Sequence, residues 1–549
     1  MVIPNIINII ASATKRIRGS SVCIVVLALF ATGCSTWSYL AYRISPDYPE
    51  DKTATLDVPG FQAPVRVYLD DLGVPHIEAE DELDLVRAVG FLHARARFFQ
   101  MDIVRRYARG RLSELVGEQE AALGSTVALD RAMRGWGLEE AAESEAAELD
   151  EASRTLLTAY VEGVNSALGR FEPVEYRLLR VKPESWTVAD SFAVGAMVGW
   201  GITHNWEQEM CRLLLALQVG HERAEQILPS EVWPGEASLQ AQGTPHALAP
   251  SVVPEIKAMF AERPYAGVRA QLTAVPRTGV LPKFEGGSNG WAVGGERTRS
   301  GMPILAGDPH LPHMVPSIVF QQHLHCPGLE VIGMTVPGIP YVMFGHNRRV
   351  AWTITAAMAD VVDLYIERED TENDGQVLGP GGPEPMASEA VILRIREGSS
   401  LRETTVRIRR TPRGPLLNDM YPDLLGEAAP LVSVHWRARG AGKTLASLRR
   451  ANGAENVHEL REAMMDVVIP ISAVSAADTN GDIALFATGS VPVRAHHRGT
   501  FPVPAWVEKY KWTAWARPED MPHGTASGGA FFGSSGFCVL FMADHPTSS

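Results

Sequence analysis

The chain has 549 residues, of which 46% are hydrophobic and 21% charged, the balance of a folded protein with a large core and not of a disordered chain. Its formal net charge is −14 and no long basic run follows residue 18, which argues against a nucleic-acid partner. The five cysteines (Cys23, Cys34, Cys211, Cys326 and Cys538) form no Cys-x-x-Cys pair, so neither a zinc ribbon nor a disulfide framework is indicated.

The chain begins with a basic cluster, Lys15-Arg16-Ile17-Arg18, followed by an uncharged stretch from Ser21 to Tyr42. That order reads as a signal or membrane-anchor segment over residues 1–45. Ala31-Thr32-Gly33-Cys34 is similar to a bacterial lipoprotein cleavage box with Cys34 lipidated, and a plain anchor is the alternative. The remainder is expected to be exported: periplasmic, or held at the membrane.

Residues 55–230 are expected to be mainly helical. Val65 to Asp70 alternates like a strand, Asp71-Leu72-Gly73 turns it, and His76 to Ala79 returns, which predicts a hairpin. Apolar positions recur at helical spacing from Leu83 to Val116, and again from Arg154 to Leu168. Thr187-x-x-Asp190 is a capping box opening a further helix, and residues 207–218 continue the helical part. Residues 231–287 are irregular and proline-rich, the texture of a linker. From Ser288 to residue 523 the pattern changes to strand and turn, with Asn480-Gly481 as a hairpin turn. The fold class is therefore α+β, helical in its first half and β-rich in its second.

Ser288 stands in Gly286-Gly287-Ser288-Asn289-Gly290-Trp291-Ala292-Val293, a glycine-rich turn running into a strand. Together with Leu72-Gly-Val-Pro-His-Ile-Glu-Ala, Phe98-Phe-Gln-Met-Asp, Arg109-Gly-Arg-Leu-Ser-Glu, Gly307-Asp-Pro-His-Leu, Phe344-Gly-His-Asn and Ala351-Trp-Thr-Ile-Thr, it resembles the penicillin acylase family of N-terminal-nucleophile hydrolases. The resemblance runs in order over roughly residues 60–520. It implies an αββα sandwich made as one precursor, cut before Ser288, stripped of the 231–287 spacer and working as an α and a β chain. The implied activity is hydrolysis of linear amides in small N-acyl compounds: β-lactam side chains, N-acyl homoserine lactones or similar.

The resemblance also assigns roles. Ser288 is the nucleophile, with its freed α-amine as base; a free α-amine has a pKa near ~7.7–8.0, so a useful fraction is neutral near neutral pH. The backbone N–H of Ala356 is an oxyanion donor. His310 falls where the family places a polar residue close to the nucleophile. Asp360-Val361-Val362-Asp363 matches a structural Ca²⁺ loop, with the carboxylates of Asp360, Asp363 and Glu207 and the carbonyls of Val362 and Pro492 as ligands. Asp478-x-Asn480-Gly481-Asp482 also has calcium-loop spacing but lacks a trailing Glu, and a hairpin turn is expected there. The match fades after Met521-Pro522-His523, and residues 524–549 contain no counterpart of the family's oxyanion-hole Asn. The expectation is a chain truncated at its C-terminal side, with a catalytically inactive acylase remnant as the second reading.

Overall fold

A computed structural model of the chain describes residues 53–56, 58–121, 124–228, 253–261, 287–425, 429–534 and 537–539. The expected anchor (1–45) lies outside the described residues, as does most of the 231–287 linker.

The principal elements in chain order are strands β1 (Thr53–Leu56), β2 (Val65–Leu69) and β3 (Pro75–Glu78), then helices α1 (Glu82–Ala108), α2 (Glu151–Leu168), α3 (Val188–Thr203) and α4 (Trp206–Val219). The second half contributes β4 (Ser288–Val293), β5 (Ile304–Pro309), β6 (Phe320–Cys326), β7 (Leu329–Thr335), β8 (Phe344–Asn347), β9 (Val350–Ala356) and β10 (Val362–Ile366). There follow the hairpin β11 (Ala387–Glu397) and β12 (Ser400–Thr411), β13 (Val432–Trp436), α5 (Ala441–Asn452), β14 (Ser472–Asp478) and β15 (Ile483–Thr488). Last come β16 (Pro492–Arg494), β17 (Val503–Pro504), β18 (Trp512–Trp515), β19 (His523–Ala526), β20 (Ala530–Ser534) and β21 (Phe537–Val539).

Local chemistry explains the element ends. Asp81 caps α1 by accepting from the Asp84 N–H, and Asp150 caps α2 through Ser153. The Thr187–Asp190 capping box forms at the start of α3. Helical spacing predicts one helix from 83 to 116, but α1 stops at Ala108 and a short helix resumes at Leu112. Gly110 between them has φ +59°, which no helix can contain. The two long helices cross closely because Gly90 and Gly163 have no side chains: a Cβ on Gly90 would lie 2.2 Å from the Tyr160 carbonyl oxygen.

Among the described residues, ten strands form the main sheet, in the order β1-β2-β3-β6-β7-β8-β9-β14-β15-β19. All neighbours are antiparallel except β3 and β6, where His76 pairs with His323. That one parallel pair joins the strands before Ser288 to those after it. The helices α1, α2 and α3 bury Phe98, Tyr160, Phe192 and Met101 in one large core with Ile77, Leu324 and Trp352 of the sheet. A second sheet, β21-β20-β4-β5, stacks on the opposite face. There Ala292 and Phe531 pack with Ala473, Ala477, Ile483 and Leu485. Glycine permits this stacking: a Cβ on Gly307 would fall 2.0 Å from Thr353 Oγ1.

The Asn480-Gly481 turn joins β14 to β15, with Gly481 at φ +101°. Asp478 accepts there from the Asn480, Asp482 and Val457 amides, so its carboxylate is used by the turn.

Candidate active site and carboxylate cluster

Ser288 is the first residue of β4, half-buried and paired with Pro309 of β5. Side chains alternate along a strand, so Ser288 shares a face with Gly290 and Ala292, both buried against the main sheet. Gly290 packs on Thr353 of β9 and Ser475 of β14. Ala356 ends β9 three residues beyond Thr353. Ser288 and Ala356 are thus each within about 10 Å of one sheet-to-sheet contact, at ~3.3 Å per residue.

Register sets the direction of the Ala356 amide. In the β9–β14 ladder Thr355 pairs with Ala473, and the Ala357 N–H donates to the Ile471 carbonyl at 3.2 Å. Alternation then turns the Ala356 N–H away from β14, towards the side where β8 has already ended. Two residues later Met358 has φ +54° and is exposed, a left-handed conformation that costs a side-chain-bearing residue about 1–2 kcal/mol. Strain of this kind concentrates at functional sites.

His310 follows β5, and its N–H donates to the Gly287 carbonyl at 3.0 Å. Its Nε2 lies 3.0 Å from Asp308 Oδ2 and 3.2 Å from the Asn289 amide. The imidazole therefore holds the residue beside Ser288; among the described residues it makes no hydrogen bond to the serine hydroxyl.

The structure brings Asp360 and Asp363 together, but the helix carboxylate that joins them is Glu209 and not Glu207. Glu207 and Glu209 are about 200° apart around α4, so only one can face the aspartates. Glu207 turns to His204, 4.0 Å away, and acts on the phenols of Tyr107 and Tyr421. One oxygen each from Glu209, Asp360 and Asp363 lies within 4.8 Å of the others. A Ca²⁺ ion with bonds of 2.3–2.6 Å holds opposite oxygens about 5 Å apart, so the spacing fits.

The surroundings of the cluster fit a cation as well. Glu209 is fully buried; Oε2 accepts from the Leu364 N–H at 3.2 Å, while Oε1 has no hydrogen-bond donor. Asp363 is equally buried; Oδ2 accepts from Arg494 Nε at 2.8 Å and from Trp512 Nε1, while Oδ1 has no donor. Burial drives the Glu209 carboxyl well above its usual range, and the charges of Asp360 and Asp363 add to this. Burial also opposes ionisation of Asp363, but Arg494, His497 and the Trp512 N–H outweigh it and hold that carboxyl low. Glu209, Asp360 and Asp363 converge beside the Arg494 guanidinium in a dry place, a concentration of carboxyl oxygens that suits one divalent cation. Gly499, at φ +76°, leaves the space open: a Cβ there would lie 2.6 Å from Asp363 Oδ1 and 2.8 Å from Asp360 Oδ2.

Val362 opens β10 between the two aspartates, and Pro492 opens β16 two residues before Arg494. Arg494, Trp512 and Gly499 are the residues the sequence reading missed. They lie more than 130 residues after the Asp pair, and no local pattern in the sequence links them to it.

Comparison with known proteins places these residues in context. The profile of the penicillin amidase family matches residues 64–534. The penicillin acylase 2 proenzyme of Pseudomonas sp. (strain SE83) is 33% identical over 481 residues, covering 86% of this chain and 58% of that protein. The acyl-homoserine lactone acylase QuiP of Pseudomonas aeruginosa is 28% identical over 501 residues, covering 88% and 56%. The solved thermostable penicillin G acylase of Alcaligenes faecalis (orthorhombic form) aligns with a TM-score of 0.39 and 22% identity, over 48% of this chain and 46% of that one. The chain thus spans somewhat over half the length of the curated relatives it matches.

Proposed function

Because the chain belongs to the penicillin amidase family, we propose that it is an amidohydrolase that cuts linear amide bonds of small N-acyl compounds through Ser288. The observation that carries this reading is the position of Ser288. It opens a strand packed on β9, whose last residue presents an N–H unused by β14.

In the proposed reaction the chain is first cut between Gly287 and Ser288, which frees the serine α-amine. That amine takes the proton from Oγ as Oγ attacks the acyl carbonyl. The tetrahedral oxyanion accepts from the Ala356 N–H; removing one such donor typically costs ~10²–10³ in rate. Collapse expels the amine, which takes the proton from the serine amine, and leaves an acyl ester on Ser288. Water, deprotonated by the same amine, then releases the acid. His310 and Asp308 keep Asn289, and with it the start of β4, in register.

A structural Ca²⁺ at Glu209, Asp360 and Asp363, with carbonyls of Val362 and Pro492, belongs to the same proposal. The undonated oxygens of Glu209 and Asp363 support it. The αββα arrangement and the two-chain product are part of the proposal too. One helical layer and two stacked sheets stand in the described residues, and the outer face of the small sheet exposes Trp291 and Ile304, where a second helical layer would pack. Export, with residues 1–45 as leader or anchor, is proposed on the sequence alone; among the described residues no helix is long and apolar enough to cross a membrane.

The test is amine release from a panel of N-acyl homoserine lactones and β-lactams. Release by the parent protein that Ser288→Ala abolishes supports the reading. Equal rates in both proteins overturn it.

A further inference from the structure

The face of the main sheet beside the small sheet carries an unusual set of residues. Register places Tyr68, His76, His323, Ile332 and His346 side by side across β2, β3, β6, β7 and β8. The next row is Arg66, Glu78, His325 and Glu330. Four imidazoles and two carboxylates therefore stand in two neighbouring rows, with cross-strand neighbours about 4.5–5.5 Å apart at Cβ.

We propose that His76 and His323, already within ligand distance of each other, bind a divalent transition-metal ion of the zinc class, and that the His325 side chain turns in from the same face as the third ligand. Imidazole nitrogen suits such ions, in contrast to the all-oxygen cluster at Glu209. Three observations support the assignment.

First, the two rings present the same atom to each other. His76 Nδ1 and His323 Nδ1 are 2.9 Å apart, with the rings at 90° and their centroids 5.1 Å apart. Two nitrogens bound to one tetrahedral ion at ~2.05 Å would be about 3.3 Å apart, with ring centroids about 5.2 Å apart. Metal entry thus needs the nitrogens to part by about 0.4 Å and the rings, now nearly in line through those nitrogens, to tilt towards a common point.

Second, each ring has a carboxylate behind it. His76 Nε2 is 3.5 Å from Asp70 Oδ2, and His323 Nε2 is 3.8 Å from Glu330 Oε1. Neither contact is a hydrogen bond, but each sets a carboxylate beside the distal nitrogen, and a carboxylate that closes on that N–H fixes the tautomer and turns the other nitrogen towards a metal. Both carboxylates are anchored: Asp70 Oδ1 accepts from the Leu72 and Val74 amides, and Glu330 pairs with Arg348.

Third, the site is accessible. The two rings are 30% and 26% exposed, and His325 is exposed on the same face, two residues along β6. A His-x-His spacing on a strand presents both rings to one side. Water would complete the shell.

The ion would join β3 to β6, the parallel pair that links the segment before Ser288 to the segment after it. If the chain is cut there, the metal staples the two fragments. The site itself does not depend on the amidase reading.

The experiment uses untagged protein, stripped with chelator and returned to millimolar calcium so that oxygen sites are filled. Zinc is titrated in competition with a chromophoric chelator, and cobalt is added separately to record its visible spectrum. One zinc equivalent and an intense tetrahedral cobalt band are expected. His323→Ala should abolish both, Asp70→Asn should weaken zinc about 10–100-fold, and His458→Ala should change nothing. Diethyl pyrocarbonate labelling of the parent protein, mapped by peptide mass, gives a readout independent of the variants' folding: zinc should protect His76 and His323. No zinc equivalent, unchanged affinity in a folded His323→Ala, or labelling indifferent to zinc would overturn the proposal and leave the pair sharing a proton.

Discussion

Replacing Glu209 with glutamine should reverse the order of stability between calcium and chelator. The side chain is fully buried, and its Oε1 has no hydrogen-bond donor. Without metal, burial and the two aspartates push the Glu209 carboxyl well above its usual range, towards the neutral form that glutamine resembles. In chelator, Glu209→Gln should therefore melt at or above the parent temperature. With calcium the ion needs the third carboxylate. A ligand at about a hundred times its Kd adds ~2.7 kcal/mol. At about 2 cal/mol/K of unfolding entropy per residue, a single cooperative unit of about 400 residues gains roughly 3 °C in Tm from this. Thermal melts with millimolar calcium and with chelator, on parent and variant, measure all four values. The parent should gain roughly 3 °C and the variant little. An equal gain in both proteins, or none in the parent, would refute a cation at this cluster.

Three further outcomes are expected. His93 is fully buried, bonds Tyr160, Thr335 and Gln322, and burial followed by the Arg97 charge lowers its pKa to about 3. Its folded pKa lies below the unfolded value near 6.5, so its contribution is complete above ~6.5 and is lost as pH falls towards 3. Denaturant titrations at pH 7 and pH 5 should show the parent losing ~2 kcal/mol more than His93→Gln; parallel losses would contradict this. Gly307→Ala would put a Cβ 2.0 Å from Thr353 Oγ1, and should lower stability by at least the ~1–3 kcal/mol typical of overpacking. A parent-like melt would mean that the two sheets do not stack as described. Gly499→Ala, which adds strain at φ +76° and a methyl against both aspartates, should abolish the calcium-dependent rise in Tm; a retained rise would place the ion elsewhere.

Much of this architecture is legible in the chain, because local signals decide it. The 65–78 hairpin, the Thr187–Asp190 cap and the Asn480-Gly481 turn each depend on a few neighbouring residues, and each forms where the spacing predicts. The run from 83 to 116 was less legible, since apolar spacing continues through Gly110 while the backbone turns. Glu207 against Glu209 shows a different limit. The two flank the buried stripe of Trp206, Met210, Leu213 and Leu214 on opposite sides, and periodicity is indifferent between them. The choice is made by β10, more than 150 residues later, through the Leu364 N–H. The pairing of His76 with His323 was equally invisible, because it depends on a parallel register between strands 247 residues apart. Contacts set by long-range register have no local signature.

The most direct test of the account is the intact mass of the purified protein beside its Ser288→Ala variant. Two fragments are expected in the parent, the second beginning at Ser288, and a single uncut chain in the variant. One uncut chain in both would contradict self-processing at Ser288 and favour an inactive acylase remnant.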